Sequence, residues 1–256
     1  MSKNTFQDKL LETFKLFSDK IAIEYNDNSI KYSQLDQKTN KIANYILQKG
    51  IQQNSLISIL VEDKVEVISL IIGILKAGCI FVPIDPANPA KRIEYIINST
   101  ETEVLFWDEN SGKREFNFTN KQNSKIQTIL INEDFYNNSL SDEYKQSCQY
   151  CSDDPIYIYF TSGSTGNPKA IVGRNESLLH FIEWEIAEFA INQNTRISQF
   201  TSPSFDAFLR DIFVPLFAGG TVCIPVRKEI ILDTASMVDW IRKKQGKYNT
   251  LYSKSI

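Results

Sequence analysis

The residues whose types could do chemistry concentrate in one segment, Tyr159-Phe160-Thr161-Ser162-Gly163-Ser164-Thr165-Gly166-Asn167-Pro168-Lys169. Four hydroxyl side chains, two glycines and one lysine follow a hydrophobic strand directly. Glycine lets backbone N–H groups approach an oxyanion closely, and serine and threonine hydroxyls add donors. Lys169 supplies a point charge suited to phosphate. The combination fits the cradling of a polyphosphate; the plainer alternative is a polar surface turn between two strands. A Walker A loop is excluded, because it needs GxxxxGK[ST] running into a helix. This segment reads GxxGxxK, and its lysine opens a strand-like KAIVG. No serine sits in GxSxG, so a nucleophile elbow is excluded too.

Other reactive residue types are sparse. Any Ser–His–Asp scheme would have to rest on His180, the only histidine, which lies inside a helical pattern and is expected to serve packing or the surface. Cys148 and Cys151 form a single CxxC. A structural zinc site would want a second pair or histidines, so the two are read as loop thiols and no metal site is assigned.

The elements that must position the loop alternate between strand and helix. A helix is predicted over 33–48, with Ser33 and Asp36 as a capping box and Gly50 as a stop. Strands are predicted at 56–61, 80–84, 128–131, 156–160, 169–172, 196–200 and 221–226, and helices at 65–76, 91–97, 175–189, 204–217 and 232–244. This rhythm predicts an α/β architecture with largely parallel sheets. The stretches 108–125 and 132–154 are polar, so a boundary is expected near 150, with a first subdomain over 1–150 and a second over 151–256.

A length of 256 residues allows one or two domains, and 42% apolar with 23% charged residues is ordinary globular composition. A net charge of −3 leaves no basic excess to attract nucleic acid or a membrane surface. The longest apolar run, Val67–Leu75, stops at Lys76 and is too short to cross a bilayer. The first twenty residues lack the continuous apolar stretch of a secretory signal, so the default expectation is the cytoplasm.

TSGSTGNPKAIV resembles the phosphate-loop signature of the adenylate-forming, AMP-binding enzymes. Three further blocks resemble the amino-acid adenylation domains of nonribosomal peptide synthetases: DKIAIEYNDNSIKYSQLDQKTNKIANYI (19–46), LKAGCIFVPIDPANPAKRIEYIINS (75–99) and FDAFLRDIF (205–213). The resemblance implies the N-terminal part of the adenylate-forming fold, with its second subdomain incomplete. It also implies ATP-dependent activation of an amino acid as aminoacyl-AMP, with ATP and Mg²⁺ as substrate. Transfer would follow to phosphopantetheine on a peptidyl carrier domain, beside condensation domains. Thr161, Ser162, Gly163, Ser164, Thr165, Gly166 and Lys169 match the phosphate-binding positions.

Asp206 matches the aspartate that pairs with the substrate's ammonium group, and Ala207 and Arg210 match side-chain-pocket positions. A carboxylate in the first turn of a helix would select an amine over a plain fatty acid. The plainer alternative is an i, i+4 ion pair between Asp206 and Arg210. If Arg210 faces the pocket, its charge suits a polar or acidic side chain.

The family's later blocks, including its Mg²⁺-holding acid, its ribose-binding aspartate and its lid with the catalytic lysine, have no counterpart here. No catalytic residue is therefore assigned, and no adenylation is expected from this polypeptide alone. The tail 246–256 is polar where the family continues into a buried strand and a His-Cys-x-Pro stretch. Codons can be chosen so that a one-base shift reads N-I-I-H-C-I-P-K-V, and the tail is accordingly expected to be out of frame. Two other readings remain open: an acyl- or aryl-acid-activating relative, and a non-catalytic nucleotide-binding fragment.

Overall fold

The computed structural model describes residues 5–100, 102–111, 126–137, 141–144, 150–161, 168–225, 233–245 and 251–252. Contacts group the chain into two compact units, Gln37–Asn175 and a second formed by Met1–Asp36 with Glu176–Ile256. A division at residue 150 does not describe these contacts. The reason lies in strand pairing, because the strands at 155–174 join the sheet of 56–130. No described helix is long and apolar enough to cross a membrane.

The unit Gln37–Asn175 holds a sheet in the order β6-β5-β3-β4-β7-β8. Its strands are β3 (Leu56–Leu60), β4 (Ile80–Pro83), β5 (Val104–Trp107), β6 (Gln127–Leu130), β7 (Pro155–Thr161) and β8 (Lys169–Arg174). All pair in parallel except β7 with β8. Its helices are α2 (Tyr32–Gln48), α3 (Lys64–Lys76), α4 (Ala90–Ser99) and α5 (Glu133–Asn137), α2 beginning a turn before the unit does. The sequence KVEVISLIIGILK is apolar nearly all round, and α3 is accordingly buried along almost its whole length. Asp63 starts it by accepting from Glu66 N–H at 3.0 Å. Leu60, Val82, Leu105 and Ile126 form the core on which Ile93 and Ile96 of α4 are seated.

The start of α2 departs from the expected capping box. The strand β2 (Asn28–Lys31) runs straight into the helix, so Ser33 has no loop in which to act as N-cap. Its N–H donates to the Ser18 carbonyl instead, and Gln34 Oε1 accepts from Lys31 N–H at 2.8 Å. Two close fits then fix α2 against α3. Lys76, only 2% exposed, donates through Nζ to Thr39 Oγ1 (2.8 Å) and Asn40 Oδ1 (2.6 Å). Gly73 leaves no space for a side chain, since a Cβ there would lie 2.5 Å from Ile42 Cγ2.

The other unit holds a sheet in the order β11-β9-β10-β1-β2, built from β1 (Ile21–Tyr25), β2 (Asn28–Lys31), β9 (Arg196–Ser198), β10 (Thr221–Ile224) and β11 (Leu251–Tyr252). Only β1 with β2 is antiparallel. Of the tail 246–256, Leu251 and Tyr252 are described, and they extend the sheet beside β9 rather than leaving it. Its helices are α1 (Phe6–Leu16), α6 (Asn175–Glu188, which starts on the last residue of the other unit), α7 (Ala207–Phe217) and α8 (Thr234–Gln245). A capping box opens α1: Thr5 Oγ1 accepts from Asp8 N–H (3.2 Å) and Asp8 Oδ2 from Thr5 N–H (2.9 Å). Phe6 of α1 meets Phe213 and Phe217 of α7 edge-on and tilted, each at 4.7 Å between centroids.

Glu24 on β1 bridges Arg196 Nη2 (2.6 Å) on β9 and Lys244 on α8. Burial pushes the Glu24 carboxyl up, but the hydrogen bonds and charges of Lys244 and Arg196 outweigh it and hold the group below its ordinary range. Between Glu24 and β9 lies Cys223, whose thiol burial pushes up to about 11, so it stays protonated.

Two outcomes are expected. Gly73→Ala should destabilise the protein by about 1–3 kcal/mol, the usual cost of overpacking a tight contact; an unchanged urea midpoint would show that α2 and α3 can part freely. The second concerns acid. Because the Glu24 carboxyl is lower in the folded than in the unfolded chain, its stabilisation is complete above its ordinary value of 4.5 and is lost as pH falls through the folded value. The stability gap between wild type and Glu24→Gln should therefore be wide at neutral pH and close on acidification below about 4.5. A gap independent of pH in urea titrations would refute this.

Candidate functional site

The hairpin of β7 and β8 carries the outer residues of the anion-binding segment. Its register runs from Pro155 opposite Arg174 to Thr161 opposite Lys169. Tyr157 pins it, because its ring covers Gly173 so closely that a Cβ there would lie 1.8 Å from Tyr157 Cζ. Thr161 and Lys169 therefore face each other at the end of the hairpin next to the connecting residues 162–168. Both are exposed, with Thr161 Oγ1 donating to the Lys169 carbonyl at 3.5 Å. From α4, the Tyr95 hydroxyl donates to the Pro168 carbonyl at 3.3 Å. Ser162, Gly163, Ser164, Thr165 and Gly166 lie outside the described residues.

Asp206, Ala207 and Arg210 belong to the other unit, at the start of α7. The chain approaches this helix through a tight turn in which Phe205 N–H donates to the Ser202 carbonyl at 3.1 Å. Asp206 is already helical there (φ −61°, ψ −28°), so its side chain makes no capping bond to its own helix. The carboxylate is exposed and, among the described residues, has no hydrogen-bond or ion-pair partner. A helix N-terminus favours a negative side chain at this position. Ala207 is half-buried behind it.

The i, i+4 pair that the spacing allows between Asp206 and Arg210 does not form. Arg210 turns to α6, where its Nε lies 2.7 Å from both Oε1 and Oε2 of Glu185. A second carboxylate, Asp211 Oδ1, sits 3.7 Å from Nη1. The other oxygen of Asp211 accepts from Thr201 Oγ1 (2.6 Å) and Thr201 N–H (3.3 Å), which ties the preceding turn down to the helix.

Glu185, Asp211, Thr201 and Tyr95 were not singled out by residue type. For Glu185 a signal exists, since it interrupts the apolar stripe of Leu178, Ile182 and Phe189 on α6, where a carboxylate must find a cation. His180 is exposed on the same helix, and Cys151 is a free, exposed thiol, while Cys148 lies outside the described residues. Among the described residues no group of three or more His, Cys, Asp or Glu is placed to hold a metal ion, so no step is assigned to one.

The AMP-binding enzyme family matches residues 10–249. The chain belongs to that family. Gramicidin S synthase 2 of Brevibacillus brevis is 32% identical to it over 226 residues, which is 88% of this chain but only 5% of that protein. The AMPPNP-bound form of the nonribosomal peptide synthetase FmoA3 superimposes with a TM-score of 0.82 at 20% identity, over 95% of this chain and 25% of that one. The N-terminal subdomain of Klebsiella oxytoca NpsA, in complex with 3-hydroxybenzoyl-AMSN, gives 0.79 at 18% identity, over 98% and 60%. This AMP-binding chain is thus a homologue of the N-terminal subdomain of a synthetase adenylation domain. It shares that subdomain's α/β fold with mixed, mostly parallel sheets.

Thr201→Val should cost about 1–3 kcal/mol, because it removes a hydroxyl donor from the buried Asp211 carboxylate. Thr201→Ser should retain most of the stability. Equal urea midpoints for the Val and Ser variants would show that this bond does not hold the turn.

Proposed function

We propose that this AMP-binding chain serves the ATP-dependent activation of an α-amino acid as its aminoacyl-AMP. The observation that carries the reading is the Asp206 carboxylate, exposed and without a partner among the described residues at the start of α7. A carboxylate left open in this way is matched by an α-ammonium group, and an acyl or aryl acid has no cation to offer it. Thr161 and Lys169, with Ser162, Gly163, Ser164, Thr165 and Gly166 between them, take the phosphate role. Their N–H, hydroxyl and ammonium groups restrain the β- and γ-phosphates of ATP, which is taken with Mg²⁺.

The amino acid's carboxylate oxygen then attacks the α-phosphorus, and the bond to the β-phosphate oxygen breaks. Aminoacyl-AMP forms and pyrophosphate leaves. What these residues supply is position and charge rather than a nucleophile. Transfer of the aminoacyl group to phosphopantetheine on a peptidyl carrier domain, beside condensation domains, belongs to the larger assembly that relatives of this kind form.

Amino-acid-dependent ATP–pyrophosphate exchange by the full protein tests the reading. Exchange should respond to an amino acid and not to its deaminated analogue. Lys169→Ala should weaken ATP binding by about tenfold or more, the loss of a charge-assisted contact to phosphate. Exchange driven equally by the deaminated acid would favour the acyl- or aryl-acid reading. Nucleotide binding without any exchange would leave a binding fragment.

A further inference from the structure

We propose that Arg92 is a second cation of the phosphate site: with Lys169 it holds the β- and γ-phosphates, so that the protein binds ATP in preference to AMP. The inference rests on the phosphate reading of Thr161 and Lys169.

Topology brings the two cations to one edge of the sheet. Arg92 lies in the first turn of α4, the helix that follows β4. Because β4 and β7 are parallel, the start of α4 and the end of β7 at Thr161 lie at the same carboxyl edge, where open α/β sheets take their ligands. Strand β8 runs back from that edge with Lys169 as its first residue. Side-chain contacts then fix the flank. Ile93 and Ile96 of α4 sit in the core cluster against which Ile158 and Phe160 of β7 pack. Tyr95, one turn after Arg92 on the same helix face, reaches across to the Pro168 carbonyl beside Lys169. Helix side chains lean toward the N-terminus, so Arg92 extends past Tyr95 toward the carboxyl edge.

The surroundings of Arg92 leave its charge unanswered. The residue is half-buried, and its Nε is covered without a hydrogen-bond partner. Among the described residues no ion pair reaches the guanidinium, and Glu94, two positions on, lies on a different face of the helix. A cation shielded on one side and left unpaired is poorly stabilised until an anion meets it. The two Nη nitrogens do not share the burial of Nε. They keep N–H donors in one plane, the arrangement that matches the oxygens of a phosphate. Lys169 is exposed and likewise has no ion-pair partner among the described residues. Two unanswered cations at one sheet edge suit a polyphosphate, whose additional charge AMP lacks.

The test titrates ATP and AMP, each with Mg²⁺, into the full protein and follows the ratio of the two affinities. Arg92→Gln should weaken ATP binding by about tenfold or more and change AMP binding little, as loss of a charge-assisted contact to the outer phosphates requires. Arg92→Lys, which keeps a charge but not the planar fork, should recover part of the loss. Thermal unfolding checks that each variant is folded. A second measurement needs no variant: modification of Arg92 by phenylglyoxal in the wild type, read by peptide mass spectrometry, should be slowed by ATP and not by AMP. An ATP-to-AMP ratio unchanged in folded Arg92→Gln, or modification that ATP does not slow, overturns the inference alone when Lys169→Ala narrows the ratio. If Lys169→Ala leaves the ratio unchanged as well, the phosphate reading fails and the inference falls with it.

Discussion

Helix α7 is buried over most of its length, with Phe208, Leu209, Ile212, Phe213, Val214 and Leu216 all inside. Its polar residues therefore have few places to go, and each must be bonded or left at the one open end. Buried groups moor both ends. At the C-terminal end the Tyr32 hydroxyl donates to the carbonyls of Leu216 (3.0 Å) and Gly220 (2.8 Å). Burial pushes that phenol well above its usual range, so it stays a donor. At the other end Asp211 holds Thr201. With Arg210 drawn off to Glu185, Asp206 is the one carboxylate of this helix left open.

In the unit Gln37–Asn175 close packing sets geometry in the same way. Tyr157 packs over Gly173, where no side chain would fit, and the observed register places Thr161 opposite Lys169. An anion cradle needs its donors fixed before the anion arrives, because ordering them afterwards would cost the binding energy they supply. The parallel strands β3 and β4, buried on both faces, give β7 a rigid neighbour to pair with.

Much of this fold was legible in the sequence because its helices and strands carry strong periodic patterns. The apolar run of α3 and the alternation around 156–172 are local signals, and the elements lie within a few residues of where those signals put them. Helix α1 and the hairpin of β1 and β2 were not legible. Their stability comes from partners far along the chain, Phe213 and Phe217 for α1 and β10 for β1. The same holds for the unit boundary, because pairing of β7 with β4 and of β1 with β10 is non-local. At the candidate site, the family resemblance drew attention to Asp206, and residue type drew attention to Lys169. It could not choose among the carboxylates within reach of Arg210, since the answer depends on how α6 packs against α7.

The central claim is that the open carboxylate of Asp206 reads an α-ammonium group. The most direct measurement is a two-by-two comparison of affinity. Wild type and Asp206→Asn are each titrated with an aminoacyl-sulfamoyladenosine and with the same compound carrying hydrogen in place of the α-amino group. The account predicts coupling: the amine should strengthen binding to wild type by about tenfold or more and give little or nothing to the variant. An amine effect of the same size in both proteins would contradict it.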